Sequence, residues 1–95
     1  MVLTSDQIKQ KLEAFRGWEL INGQLQKTYS FPDFMTALDL VNKVAIVAEH
    51  HNHHPDILLK YSKVTFMLST HDQDGITEKD FKVAQEIEQL AVMQL

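Results

Sequence analysis

The Asn22-Gly23 pair restricts the fold most, because it favours a two-residue type I′ turn between two antiparallel strands. In the resulting register Leu20 faces Leu25. The second strand alternates polar residues with apolar ones, and Lys27 is the single polar residue on its apolar side. Its apolar positions are Leu25, Tyr29 and Phe31. This alternation predicts a strand with one face on the core and the other in solvent.

A second hairpin is predicted from the apolar run Ile57-Leu58-Leu59 and from the alternation of Val64, Phe66 and Leu68 with polar neighbours. A two-residue turn at Tyr61-Ser62 makes Lys60 face Lys63, so that paired positions sum to 123. Beyond the strand ends, the same register brings His53 near Thr70 and Asn52 near His71.

Helices are predicted before, between and after these hairpins. The first begins at the capping box of Thr4 and Gln7 and ends at a left-handed cap on Gly17. The last begins at Thr77, with Asp80 in a second capping box. Their inner stripes are Ile8, Leu12 and Phe15 in the first, and Phe81, Ala84, Ile87 and Ala91 in the last.

The central helix is predicted to carry Pro32 at its first position and Asp33 in its first turn, and to run to about Glu49. One face is marked by Phe34, Leu38, Val41, Ala45 and Ala48. Further apolar residues lie around the helix, which indicates that it is central or covered by another subunit. The order αββαββα predicts an α+β sandwich of two layers, with the helices on one face of an antiparallel sheet.

Composition restricts the function classes. Ninety-five residues suit one domain, taken as 1–95, and the absence of cysteine excludes disulfides and thiolate metal sites. A net charge of −4 with nine scattered basic residues argues against a nucleic-acid-binding face. We expect no signal peptide and no membrane span, and therefore a cytoplasmic protein.

Four of the five histidines lie within His50–His54, directly before Pro55, and the fifth is His71. The register of the second hairpin predicts that His71 meets the His53-His54 pair at one end of the sheet. The dipole at the end of the central helix and the carboxylate of Glu49 both favour imidazolium there. Imidazole that titrates near neutral pH is suited to acid/base catalysis.

The spacing of these residues resembles the signature of the pterin-4a-carbinolamine dehydratases. An acidic residue precedes His-His-Pro by three positions, and an aromatic residue, a histidine and an aspartate follow at defined intervals. Here the pattern is carried by Glu49, His53-His54-Pro55, Tyr61, His71 and Asp80. The Gly17-Trp18 pair and the Leu68-Ser69-Thr70-His71 run are also similar to the family. The resemblance covers nearly the whole chain.

The resemblance implies a fold with helices on one face of a four-stranded antiparallel sheet, and a lyase that dehydrates a 4a-hydroxytetrahydropterin to the quinonoid dihydropterin, without cofactor, in tetrahydrobiopterin recycling. It implies that His53 and His71 are the acid/base groups and that His54 positions the substrate and its hydroxyl. Glu49 and Asp80 would orient histidines or bind the pterin, and Ser69 and Thr70 would offer it hydrogen bonds. It further implies a homodimer or homotetramer.

Two alternatives stay open. A zinc site could use His50 with His53 or His54, completed by Glu49, Asp56 or His71. The chain could instead be a protein-interaction or dimerisation module, a second role known among vertebrate members of the family. His50 and His51 match no position of the signature and are interpreted as solvated residues at a helix end. Lys79 replaces an arginine that is frequent in the family, which keeps the charge and loses the planar guanidinium.

Overall fold

The computed structural model describes residues 1–94, and the element order is as predicted. The helices and strands are α1 (Ser5–Leu12), β1 (Glu19–Ile21), β2 (Gln24–Ser30), α2 (Phe34–His51), β3 (Asp56–Lys60), β4 (Lys63–Leu68) and α3 (Glu78–Gln94). A short 3₁₀ helix, His71–Gln73, lies between β4 and α3. The α+β class is therefore confirmed.

All strands pair antiparallel, in the order β1-β2-β4-β3. Both predicted hairpin registers are confirmed, because Leu20 pairs with Leu25 and Lys60 pairs with Lys63. The central pairing of β2 with β4 joins the two hairpins. It brings the start of β2 beside the end of β4, and this edge of the sheet carries the candidate site.

The core lies between one face of the sheet and the helices. Alternate residues of β4 are fully buried, while their neighbours along the strand keep some exposure. The sheet contributes Leu25, Tyr29, Val64, Phe66 and Leu68, and α3 contributes Phe81, Val83, Ala84, Ile87 and Ala91. The inner stripe predicted for α3 is thus confirmed, with Val83 added.

The start of the chain follows the prediction in its cap and departs from it at the end of the helix. Thr4 and Gln7 form the capping box, each bonding the other's backbone nitrogen. However, α1 ends at Leu12, so Gly17 is not its cap. Gly17 has a φ of +87° in the turn before β1, and a side chain there would collide with Lys27, since a Cβ would lie 2.8 Å from its Cε.

The predicted start and end of α2 each lie two residues before the observed ones. Pro32 is not its first residue, because Asp33 is the N-cap, with Oδ1 accepting a hydrogen bond from Thr36 N at 2.8 Å. At the other end the helix continues to His51, past the expected end at Glu49.

The predicted buried face of α2 was largely wrong. The fully buried residues are Ala37, Leu40, Val44 and Ala48. Of the predicted face only Ala48 is buried, while Phe34 and Ala45 are exposed and Leu38 and Val41 are half-buried. Apolar residues lie on more than one side of α2, so its sequence alone does not set its rotation, and packing against its neighbours decides which face is inside.

One polar cluster connects the sheet to α3. Glu88 Oε1 accepts hydrogen bonds from Trp18 Nε1 at 3.2 Å, Lys27 Nζ at 2.8 Å and Tyr29 OH at 2.5 Å. Burial pushes the pKa of Glu88 up, but the hydrogen bonds from Lys27 and Tyr29 outweigh burial and hold the pKa below its ordinary value of 4.5. Lys27, the polar residue on the apolar side of β2, is therefore paired with the carboxylate of Glu88.

Candidate active site

The site is organised by one fully buried carboxylate, that of Asp80 in the first turn of α3. Its Oδ2 accepts hydrogen bonds from Thr77 N at 2.9 Å and from Thr70 Oγ1 at 2.8 Å. Thr77 Oγ1 in turn accepts from Lys79 N, which completes the predicted cap of α3. Asp80 therefore joins the start of α3 to the end of the sheet.

Two contacts fix the position of His53, one made by its backbone nitrogen and one made by its imidazole ring to this carboxylate. Asn52 adopts the left-handed conformation, with φ 49°, and His53 N bonds Ala48 O at 3.0 Å, as in a Schellman ending of α2. The chain therefore turns back, and His53 Nε2 reaches Asp80 Oδ1 at 2.6 Å. Only 11% of the His53 side chain is exposed, so water competes little for this contact.

This contact determines which ring nitrogen of His53 is available for proton transfer. An ionised carboxylate only accepts hydrogen bonds, so Nε2 of His53 donates to Asp80. In the neutral ring Nδ1 is then the acceptor. Asp80 thus fixes both the orientation and the tautomer of the imidazole, which is the arrangement that a histidine base requires.

His54 has a different environment from its neighbour. Its Nε2 lies 2.5 Å from Oε2 of Glu49, but both side chains are more than half exposed. Exposed pairs of this kind contribute about 0–1 kcal/mol to stability. The predicted link between Glu49 and a histidine is therefore present, at the rim of the site.

His71 begins the 3₁₀ helix of a loop that is closed at both ends. Thr70 and Gly75 form an isolated antiparallel bridge, with Thr70 N donating to Gly75 O at 2.8 Å. The hydroxyl of Thr70 is bonded to Asp80, so the residue before His71 belongs to the same network as His53. The expected proximity of His53 and Thr70 is therefore present. Within residues 1–94 no hydrogen bond joins His71 directly to His53 or His54.

The two histidines outside the signature lie inside the last turn of α2. His50 is exposed, and Nε2 of His51 contacts Oε2 of Glu86 on α3, a pair that the sequence did not predict. His51, His53 and His54 thus contact three separate carboxylates. Among residues 1–94, no three histidine, aspartate or glutamate side chains come together in a way that could hold a metal ion, so the structure lends the zinc alternative no support.

A cavity of about 340 Å³ opens beside His71. It is lined by residues of the β1–β2 turn and of the loop after β4: Asn22, Gly23, Gln24, Ser69, Thr70, His71, Asp74 and Gly75. The sequence identified Ser69, Thr70 and His71 but missed the residues of the turn. Only the pairing of β2 with β4 could have revealed the residues of the turn, and the sequence pattern of neither strand predicts which strand it pairs with.

Comparison with known proteins places this chain in a family. The model of the family described as pterin 4 alpha carbinolamine dehydratase matches residues 1–90. A protein of Herpetosiphon aurantiacus, provisionally named a pterin-4-alpha-carbinolamine dehydratase, is 47% identical over 89 residues, which cover 94% of this chain and 93% of that protein. One of Sulfurisphaera tokodaii with the same provisional name is 41% identical over 88 residues, covering 93% and 95%.

In the described residues no helix is long and apolar enough to cross a membrane. Solved structures show the same fold as this chain. The crystal structure of a transcriptional coactivator/pterin dehydratase from Brucella melitensis superposes with a TM-score of 0.91 at 32% identity, covering 96% of this chain and 99% of that one. A pterin dehydratase-like RuBisCO assembly factor of the alpha-carboxysome superposes at 0.64 and 19% identity, covering 78% and 86%, which shows the fold alone. With the family model matching nearly its full length, the chain belongs to the pterin 4 alpha carbinolamine dehydratase family.

Proposed function

We propose that this protein is a lyase that dehydrates a 4a-hydroxytetrahydropterin to the quinonoid dihydropterin and water. The observation that carries the proposal is the 2.6 Å contact between the largely buried imidazole of His53 and the fully buried carboxylate of Asp80. A family whose name states this activity supports the same reaction.

The reaction needs two proton transfers and no change of oxidation state. The bond between C4a and the hydroxyl oxygen breaks, and that oxygen takes a proton and leaves as water. A ring nitrogen loses a proton, and the electrons of its N–H bond form the new C=N bond. His53 and His71 are the proposed acid/base pair. One imidazole gives a proton to the leaving hydroxyl and the other takes the proton from the ring nitrogen, and each must lie within hydrogen-bond reach of the proton that it transfers.

The remaining residues bind and orient. His54, supported by Glu49, positions the substrate and its leaving hydroxyl at the exposed rim. Ser69 and Thr70 offer hydrogen bonds to the pterin, and Asp80 acts through His53 as a positioning residue. None of these roles requires a metal or an organic cofactor, since imidazole alone supplies the acid and the base.

We propose in addition that the chain is a cytoplasmic homodimer or homotetramer that serves tetrahydropterin recycling. Support for self-association comes from α2, where large apolar side chains remain exposed: Met35 at 69% and Ile46 at 72%. A second candidate role is that of a protein-interaction module. The name of the Brucella melitensis relative, a transcriptional coactivator/pterin dehydratase, favours it, and the same apolar surface would serve it.

The test is direct turnover of a 4a-hydroxytetrahydropterin generated in situ, followed spectroscopically as it loses water. Wild type should accelerate the loss over buffer, and His53→Ala or His71→Ala should slow it by roughly 10²-fold or more. His50→Ala is the matched control and should leave the rate unchanged, because His50 is exposed on the neighbouring turn.

Three results would contradict the proposal. Wild type that gives no acceleration over buffer would exclude the activity, and a rate abolished by a chelator would favour the zinc alternative. A stoichiometric protein partner that stays bound to the variant lacking His53 and His71, together with an inactive wild type, would favour the interaction module.

A further inference from the structure

The loop that carries His71 is closed by a backbone bridge between Thr70 and Gly75. Thr70 N donates to Gly75 O at 2.8 Å, and Gly75 N donates to Thr70 O at 3.4 Å. Residues 71–74, between the two ends of the bridge, are all exposed, whereas Thr70 and Ile76 are buried. Because exposed loop residues make few contacts of their own, the position of His71 depends on this bridge.

The two ends of the bridge are held in different ways. On one side, the hydroxyl of Thr70 donates to Asp80 Oδ2 at 2.8 Å and lies 2.8 Å from the hydroxyl of Thr77. Thr70 is therefore fixed by its own side chain. Gly75 has no side chain, so another part of the chain has to hold the second end of the bridge.

The start of the chain lies against Gly75. Leu3 N donates to Ile76 O at 2.8 Å, and the side chain of Leu3 packs against the core. The side chain of Val2 occupies the space beside Gly75, since a Cβ on Gly75 would lie 2.7 Å from Val2 Cγ1 and 3.3 Å from Val2 Cγ2. Real Cβ atoms essentially never approach another atom closer than 3.0 Å. Val2 and Gly75 are thus in close contact, with no room for a side chain at position 75.

We propose that Val2 and Gly75 are positioning residues for the dehydration, because their contact holds the bridge and thereby places His71 for proton transfer. The inference rests on the proposed function and adds two residues to it that lie outside the signature motif. Neither residue has to touch the substrate. A small displacement of a reacting group is enough to slow catalysis strongly, so a contact behind the loop can set the rate.

Two substitutions and their combination test this contact. The φ of Gly75 lies outside the left-handed region, so Gly75→Ala acts through its collision with Val2 and not through backbone strain. Val2→Ala removes both γ carbons and leaves Val2 Cβ as its nearest atom, 3.6 Å away, which is an ordinary van der Waals distance. The double variant therefore removes the collision that Gly75→Ala creates.

The first measurement is kcat for each variant, corrected for the folded fraction found by urea unfolding. Gly75→Ala should lower kcat roughly tenfold, and adding Val2→Ala should restore most of the loss, as expected for two residues in direct contact. Val2→Ala alone should lower kcat less than Gly75→Ala does. Val92→Ala is the matched control, because Val92 is an exposed valine of α3, and it should leave kcat unchanged.

The second measurement reports the position of His71 without turnover. In the proton NMR spectrum, Gly75→Ala should shift the resonance of the His71 ring, assigned by its loss in His71→Ala, and the double variant should return it toward the wild-type value. The ring resonance of His50 on α2 should stay in place. A contact that contributed only to stability would leave the His71 resonance of the folded protein unchanged.

The outcomes separate this inference from the function on which it rests. An active Gly75→Ala variant with an unmoved His71 resonance, or a double variant no better than Gly75→Ala in both measurements, would overturn the positioning role and leave the dehydratase intact. Wild type that does not accelerate dehydration would overturn the function and, with it, the role of Val2 and Gly75 in proton transfer, whatever the spectra show.

Discussion

Asp80 Oδ1 lies 2.6 Å from Nε2 of His53, although 27 positions separate the two residues in the chain. The other oxygen of the same carboxylate bonds the backbone nitrogen of Thr77 and the hydroxyl of Thr70. The cap of α3, the end of the sheet and the orientation of His53 thus depend on one buried group. A substitution at Asp80 should therefore change both stability and activity.

Asp80→Asn should lower kcat by about 10²-fold, because an amide does not hold His53 in one tautomer as a carboxylate does. The free energy of unfolding should fall by about 1–3 kcal/mol, as a buried network loses a charged acceptor. Turnover over a range of pH and urea unfolding at pH 7 measure the two effects. The pH profile of kcat should also change shape, which a purely structural role would not produce.

The control for this change is Glu86→Gln, the matched loss of a carboxylate on the same helix. Glu86 contacts His51, which lies outside the proposed site, so turnover should be unaffected. Equal losses of activity in the two variants would mean that Asp80 acts only through the stability of α3.

The Glu88 cluster predicts how stability depends on pH. The folded-state pKa of Glu88 is lowered, so its contribution is present above the ordinary value of 4.5 and is lost as pH falls below it. Burial, and then the hydrogen bond to Glu88, raise the pKa of Tyr29. Its contribution is therefore present below pH 10.0, the ordinary value, and is lost as pH rises above it.

Urea unfolding at a series of pH values checks both limbs. Glu88→Gln should flatten the decline on the acid side, and Tyr29→Phe should flatten the decline on the alkaline side. Asp39→Asn provides a control for the acid limb, since its ion pair with Lys43 is about half exposed and therefore contributes little to stability. If Glu88→Gln and Asp39→Asn give the same acid limb, the Glu88 cluster is not its cause.

The two buried faces considered for α2 make opposite predictions for neighbouring leucines. Leu40 is fully buried and Leu38 only partly. Leu40→Ala should cost about 2–5 kcal/mol, as expected for a leucine removed from a packed core, and Leu38→Ala should cost less. Both values come from urea unfolding at one protein concentration. A larger loss for Leu38→Ala would restore the face that the sequence suggested.

The features that could be predicted from the sequence are those that depend on residues close together in the chain. The Asn22-Gly23 turn, the Tyr61-Ser62 turn and the caps at Thr4 and Thr77 depend on a few neighbouring residues, and all were predicted. For the second hairpin, the register could even be extended to bring His53 near Thr70. That extension needed only the turn position and the two-residue period of a strand.

Features that depend on distant packing were not accessible in this way. The rotation of α2 was misjudged because Leu38 and Leu40 are equally apolar, and only the neighbouring elements decide which is buried. The pairing of β2 with β4 was not predicted, because the alternation along Leu25, Tyr29 and Phe31 indicates a strand but not the strand that it pairs with. The cavity lined by Asn22 and Asp74 depends on that pairing and was missed with it.

The exposed apolar residues of α2 predict self-association. Wild type should sediment as a dimer or tetramer, since Ile46 and Met35 together present an apolar surface that a monomer would leave in water. Ile46→Asp places a charge on that surface, so the sedimenting mass should fall while the circular dichroism spectrum stays unchanged. Gln10→Asp adds the same charge on α1 and should leave the mass as in wild type. A wild type that is monomeric at tens of micromolar would contradict the proposed homo-oligomer, and equal masses for Ile46→Asp and wild type would move the interface away from this part of α2.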